Sequence, residues 1–214
     1  MNITFVGYGN VGLPLASQIE QLGHNVTLAA RNPNSDSTQK ALAVNANLHV
    51  DTPSSAVQKA DIIFLATPFG SNQTIIEGLQ SELEGKILVD CTNPVGKGFT
   101  HGLNNEQSGA EFIQSMIPNS HVVKAFSVYG YENLKDNHYP DYNLKPAMFF
   151  CGDNEEAKSK VGQLIESLGW EPLDVGVLKQ ALHLEHMTLM WVRMIRMGRL
   201  NPNLVWGAIR RDSQ

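Results

Sequence analysis

The chain has 214 residues, 42% of them hydrophobic, with 16 Lys and Arg against 21 Asp and Glu for a formal net charge of −5. That length suits one large α/β domain or two small ones, and the mildly acidic balance gives no support to a nucleic-acid partner, which would call for a wide basic surface. No apolar run approaches the roughly 20 residues needed to cross a bilayer, and no basic-then-apolar leader precedes the first strand, so a cytoplasmic protein with no membrane partner is expected.

The chain opens on a buried strand, Ile3 to Val6, that ends at Gly7 and runs through Tyr8, Gly9, Asn10, Val11 and Gly12 into an apolar helix, Leu13 to Leu22. In Gly-x-Gly-x-x-Gly the first glycine makes the tight turn, the second lets backbone N–H groups reach a pyrophosphate, and the third lets helix and strand pack closely. An anion then rests on the positive end of the helix. A second strand, Asn25 to Ala30, ends at Arg31-Asn32-Pro33, about 20 residues beyond the turn, where such a unit presents the residue that meets the adenosine ribose. An acid there suits NAD and an Arg suits the 2′-phosphate of NADP. Arg31 therefore points to NADP(H), with Asp36 nearby as the group that could stand in for the missing acid. A charge-assisted hydrogen bond contributes roughly 1.5–3 kcal/mol, about one to two decades of preference.

Residues 34 to 60 hold a polar loop and helix, a short strand near Leu48 to Val50, and a helix from Pro53 to Ala60. The continuous apolar run Asp61 to Ala66 fits a strand covered on both faces, and it stops at Thr67-Pro68. Asn72 to Leu83 is amphipathic, and the strand from Gly85 stops at Asn93-Pro94. Ligands of open α/β sheets lie beyond the carboxyl ends of the strands. Thr67, Pro68, Asn93 and Pro94 are thus candidates for the nicotinamide half of a site, unless they are ordinary strand-ending turns. The loop Val95 to Asn105 is placed to cover it.

Ser108 to Ile117 is expected as a helix, His121 to Phe126 and Met148 to Gly152 as strands, and Asp153-Asn154 as the cap of a helix running to Gly169, before a last strand, Glu171 to Val175. The count is about eight strands alternating with helices: one doubly wound, mostly parallel Rossmann-type α/β sheet over residues 1–178. Residues 179–214 form a helical segment packed on it, not an independent domain. There, Met187, Met190, Met194 and Met197 share a helical stripe, which fits core or a subunit interface. Arg193, Arg196, Arg199, Arg210 and Arg211 fit a solvated helix end or an anionic substrate. Cys91 and Cys151 lie in strand-like runs without a metal spacing and are expected as buried thiols.

Three constellations suggest chemistry. Tyr131 and Lys135 match a Tyr-x-x-x-Lys proton-transfer pair, a pattern that arises easily by chance. His183, Glu185 and His186 suggest a metal site because residues i and i+3 share a helix face, but only two imidazoles converge and without a third ligand no metal is expected. Lys124 could orient a substrate or be a surface lysine. No catalytic acid/base pair is evident, so the catalytic residues stay unknown. That absence suits hydride transfer to a flavin or deazaflavin ring, where positioning suffices and the cofactors carry the chemistry. The alternatives are a small carbonyl or imine reductase, with a donor among Lys124, Tyr129, Tyr131 and His101, and a non-enzymatic NADP(H) sensor.

With Gly7 to Gly12, Ala30-Arg31-Asn32-Pro33, Asp90-Cys-Thr-Asn93-Pro94, Val123 to Phe126, Cys151-Gly-Asp153 and Leu173 to Gly176, the chain resembles the NADPH-dependent oxidoreductases that reduce the deazaflavin coenzyme F-420. It is also similar to the cytosolic NADPH domain of the six-transmembrane epithelial metalloreductases. The resemblance implies that Gly9, Asn10 and Val11 touch the pyrophosphate, Arg31 with Asn32 the 2′-phosphate, and Thr67, Pro68, Asn93 and Ala125 the nicotinamide. It implies a flavin or deazaflavin co-substrate and a homodimer through C-terminal helices that wall the pocket. The deazaflavin enzymes often have Thr and Ser where this chain has Tyr8 and Ala30, so two phosphate hydroxyls are missing and NADP selectivity falls more heavily on Arg31. Iron reduction through a membrane is not implied.

Overall fold

The computed structural model describes residues 1–211. The elements run β1 (Asn2–Val6), α1 (Gly12–Gln21), β2 (Asn25–Ala29), α2 (Asp36–Val44), β3 (His49–Asp51), α3 (Pro53–Lys59) and β4 (Ile62–Leu65). A 3₁₀ turn (Phe69–Ser71) leads to α4 (Asn72–Glu77), α5 (Gln80–Leu83), β5 (Ile87–Asp90), α6 (Gly109–Met116) and β6 (His121–Lys124). Then come α7 (Tyr131–Lys135), β7 (Ala147–Gly152), α8 (Glu155–Ser167), β8 (Glu171–Asp174), α9 (Ala181–Val192) and a single π turn (Arg193–Met197). The strands form one eight-stranded sheet in the order β3-β2-β1-β4-β5-β6-β7-β8. β1 to β6 pair in parallel, β7 runs antiparallel to β6, and β8 is parallel to β7.

The apolar run of β4 is buried throughout, because helices cover both faces of the sheet. Phe5 of β1 stacks on Phe64 of β4 with ring centroids 4.6 Å apart, at the middle of the sheet. That pair marks the topological switch: the chain winds outward from β1 to β3, then crosses back to β4 and winds the other way. The two strands stay paired to their carboxyl ends, but the connections leaving β1 and β4 turn to opposite sides of the sheet and leave between them the crevice in which such sheets take ligands.

Three expectations are corrected. The amphipathic stretch Asn72 to Leu83 is two helices, interrupted at Gly78-Leu79. The short helix α7 was not foreseen. The C-terminal segment is one helix rather than several: after the π turn, residues 198–211 run without regular structure, and residues 212–214 lie outside the described residues. That tail is nonetheless pinned. Trp206 O accepts from Ala147 N of β7 at 2.8 Å, Leu204 O from Trp191 Nε1 at 2.8 Å, and Pro202 O from Asn133 Nδ2 at 2.8 Å. Of the methionine stripe, Met187 packs against the core while Met190 and Met197 are 47% and 60% exposed. The π turn, closed by Gly198 N on Arg193 O, adds a residue to the helical repeat beyond Val192 and so shifts only the later part of the stripe.

Candidate functional site

Every strand-end residue singled out from the sequence lies at one edge of the sheet, beyond the carboxyl ends of β1, β2, β4, β5 and β6. The turn Gly7 to Gly12 follows β1. Gly7 has φ +95°, and a Cβ there would sit 2.6 Å from the Ala66 carbonyl oxygen. A Cβ on Gly12 would sit 2.1 Å from Gly7 O, so close packing of α1 on β1 requires the glycine. Gly9 differs: it is exposed, and a Cβ would meet nothing within 4 Å. The fold therefore does not need glycine there; an incoming group that must approach the backbone does. No side chain caps α1 and its first turn carries no acid; Leu13 N is taken by Gly9 O and Pro14 has no N–H, which leaves the N–H groups of the turn before them open to an anion. The cradle fits a dinucleotide diphosphate.

At the end of β2, Arg31 and Asn32 are exposed beside the first turn of α2. The first turn of α2 brings further hydroxyls to this corner. Ser35 Oγ caps the helix and lies 2.9 Å from Thr38 Oγ1 and 3.0 Å from Ser37 Oγ, and Tyr8 OH reaches across from the glycine turn to Thr38 Oγ1 at 3.0 Å. Sequence reasoning missed this cluster, although the Ser-Asp-Ser-Thr run at the helix start was a visible sign. Ala30, Pro94 and Ala125 are buried, Ala125 completely, so they back the crevice rather than face it.

Thr67 and Asn93 are half-buried and Pro68 is exposed. Thr67 donates its hydroxyl to Asn72 Oδ1 at 2.7 Å. Asn72 Nδ2 donates to Thr92 Oγ1 at 2.9 Å, and that hydroxyl donates to Asp90 Oδ1 at 2.6 Å. Lys124 Nζ then meets Asp90 Oδ2 at 2.9 Å, Glu185 Oε1 at 3.2 Å and the carbonyl oxygen of Thr92. Lys124 is thus no surface lysine but wholly buried. Burial would drag its ammonium down; Asp90 and then Glu185 outweigh that and hold it above the ordinary lysine range. Glu185, also buried, accepts from His101 Nε2 at 2.8 Å and from Gly109 N at the capped start of α6 at 2.9 Å. His101 Nδ1 faces the N–H groups of Leu103 and Asn105, both at 3.3 Å. By this pattern Nδ1 accepts and Nε2 carries the proton. The network ties α9 and the loop 95–105 to the strand ends.

A second clamp sits beside it. Asn93 Nδ2 and Thr188 Oγ1 of α9 both donate to Ser127 O, at 3.0 and 2.8 Å. Phe126, just before it, is buried with φ +56°, a left-handed conformation for a bulky residue of the kind that clusters at functional sites. Ser127 Oγ is buried with no partner among the described residues.

The other candidates scatter. Tyr129 OH donates to Ala147 O and accepts from Trp206 N, and burial pushes its phenol well up. Tyr131 and Lys135 are exposed on α7. Both oxygens of Glu185 are engaged, His186 Nε2 pairs with Asn105 Oδ1 at 2.8 Å, and the described residues hold no group of three or more potential metal ligands. Arg196 pairs with Glu132 and Arg210 with Glu171, away from the strand ends. A cleft of about 620 Å³ between Gln114, His121, Asp153 and Lys179 opens at the amino-terminal end of β6 and includes none of the strand-end set. No helix among the described residues is long and apolar enough to cross a membrane.

A sequence profile described as "NADP oxidoreductase coenzyme F420-dependent" matches residues 2–94. Metalloreductase STEAP3 of Rattus norvegicus is 32% identical over 187 residues, 87% of this chain and 36% of that protein. The F420-dependent NADP reductase of Methanocaldococcus jannaschii is 28% identical over 139 residues, 62% of this chain and 61% of that protein. The chain spans about a third of the length of the metalloreductases it matches. Among solved structures, an Arthrobacter sp. FB24 protein whose description proposes an F420-dependent NADP-reductase superposes with a TM-score of 0.88 at 26% identity, over 98% of this chain and 100% of that one.

Proposed function

We propose that this chain, which matches the profile of coenzyme F420-dependent NADP oxidoreductases over residues 2–94 and resembles such reductases in sequence and fold, passes hydride between the nicotinamide of NADP(H) and a flavin-like or deazaflavin ring. The open cradle at Gly9 supports the nucleotide half of this reading. The backbone of Gly9, Asn10 and Val11 would hold the diphosphate at the uncapped start of α1. Arg31 and Asn32, with the hydroxyls of Ser35 and Ser37, would meet the 2′-phosphate. Thr67, Pro68 and Asn93 would line the nicotinamide. The dinucleotide supplies the hydride; the chain's part is to orient it, exclude water with the loop 95–105, and leave a face for the acceptor.

The observation that carries the choice of acceptor is the fate of the proton donors. A carbonyl or imine must receive a proton as hydride arrives. Lys124 and His101 are locked in the buried ion network, and Tyr129 is held by Ala147 and Trp206. Of the four candidates only Tyr131 is exposed, at 41%. A ring acceptor needs no such donor from the protein. The exposed Met190 and Met197 on the outer side of the C-terminal helix support a homodimer formed there.

Single-turnover oxidation of bound NADPH, followed by its near-ultraviolet absorbance, tests the proposal against flavin mononucleotide, a deazaflavin, a ferric chelate and a cyclic imine. Fast oxidation by flavin or deazaflavin alone is expected. Turnover only with the imine would transfer the assignment to a reductase using Tyr131, and turnover with none would leave a nucleotide-binding sensor.

A further inference from the structure

We propose that Asn72 is a positioning residue: it turns the proton of Thr67 away from the crevice, making Thr67 an obligate hydrogen-bond acceptor that selects a ring bearing a donor-type carboxamide. This rests on the proposed NADP(H) site and adds to it the group that discriminates at its nicotinamide end.

The direction of every proton in the relay follows from its deepest member. Lys124 has three N–H bonds, no acceptor, and three partners: Asp90, Glu185 and the Thr92 carbonyl oxygen. Asp90 is a carboxylate facing an ammonium, so it can only accept. Its Oδ1 takes both the backbone N–H of Thr92, at 2.9 Å, and the Thr92 hydroxyl, at 2.6 Å. Since the single hydroxyl proton of Thr92 points at Asp90, its oxygen can only accept from Asn72. That fixes the otherwise ambiguous amide: Nδ2 faces Thr92 and Oδ1 faces Thr67. Thr67 must then donate to Oδ1. Asn72, Asp90 and Lys124 are all fully buried, so water offers no alternative partner and the chain of orientations is closed.

Thr67 itself is half-buried at the end of β4, its methyl carbon 2.8 Å from where a Cβ on Gly7 would stand. With its proton held by Asn72, it has only lone pairs for anything entering the crevice. A carboxamide NH₂ complements them. A carboxylate does not, because two acceptors would then face one another without a proton between them.

Calorimetric titration of the whole chain with NADP⁺, its nicotinic acid analogue (carboxylate in place of carboxamide), and 2′,5′-ADP tests this. The wild type is expected to bind NADP⁺ on the order of tenfold or more better than the carboxylate analogue, the scale of a hydrogen bond to a charged group. In Asn72→Leu the freed hydroxyl can donate, so the preference falls to within about threefold while 2′,5′-ADP, which has no nicotinamide, binds as before. Thr67→Val, at the surface of the relay, should also lose the preference and serves if Asn72→Leu does not fold. Equal binding of the two dinucleotides by wild type, or a preference that survives Asn72→Leu or Thr67→Val, overturns the inference alone. A wild type that binds neither NADP⁺ nor 2′,5′-ADP overturns the nucleotide site as well. A purely structural Asn72 would weaken all three ligands together.

Discussion

Replacing Lys124 with Met tests the buried network at its centre. The substitution removes the one cation facing Asp90 and Glu185, which are 0% and 1% exposed, and leaves two carboxylates without a counter-charge. Breaking a buried pair from one side costs about 3–5 kcal/mol, and a domain of this size loses about 2–4 °C in Tm per kcal/mol. The expected fall in Tm is thus roughly 6–20 °C by calorimetry. Its pH dependence follows from the raised ammonium: a group protonated more tightly in the folded state gives its full contribution below the unfolded lysine value of 10.5 and loses it as pH rises through the higher folded value. The gap between wild type and variant should therefore stay constant from about pH 7 to about pH 10 and narrow only above that. A loss below about 1 kcal/mol, or a gap that closes below about pH 9, would refute the paired network.

Two glycines of the opening turn should separate fold from binding. Gly12→Ala puts a Cβ 2.1 Å from Gly7 O and should lower the Tm of the free protein by several degrees or prevent folding, whereas Gly9→Ala meets nothing within 4 Å and should leave that Tm unchanged while weakening NADPH about tenfold or more. Similar effects of the two on both readouts would count against the cradle. Cys91 and Cys151 are buried and unpaired, and burial pushes the Cys91 thiol well up and that of Cys151 to about 12. Ellman's reagent at about pH 8 should label neither in the native protein and both in guanidinium; rapid native labelling would show that the strand ends open.

Much of the site was legible because its residues sit where a period or a spacing ends. A buried strand must stop somewhere, and Gly7, Arg31, Thr67 and Asn93 are where four of them do. Chain order also fixed the edge at which they meet, since parallel strands point the same way. The ion network was not legible. Lys124 at the end of a strand looks the same in sequence whether it faces solvent or a carboxylate, and its partner Glu185 is brought by a helix that must first fold back across the sheet. Glu185 itself looked like part of a metal motif because it stands between His183 and His186, but those two share an exposed face of α9 while Glu185 is buried on the other and gives its oxygens to Lys124, His101 and Gly109. The methionine stripe is core only in part: Met187 packs against the core while Met190, one turn on in the same helix, is exposed, and a period of three and four does not tell a buried stripe from a surface one. Tyr8 looked like a loss of a phosphate hydroxyl, yet its own hydroxyl reaches Thr38 and braces the helix that brings others.

The central claim is that an NADP dinucleotide rests on the opening turn with its 2′-phosphate against the exposed guanidinium of Arg31. Titrating wild type and Arg31→Ala with NADPH and with NADH measures it most directly. In Arg31→Ala NADPH should bind about tenfold to a hundredfold more weakly, with NADH within about twofold of wild type. An equal loss for both nucleotides, or none for either, would contradict it.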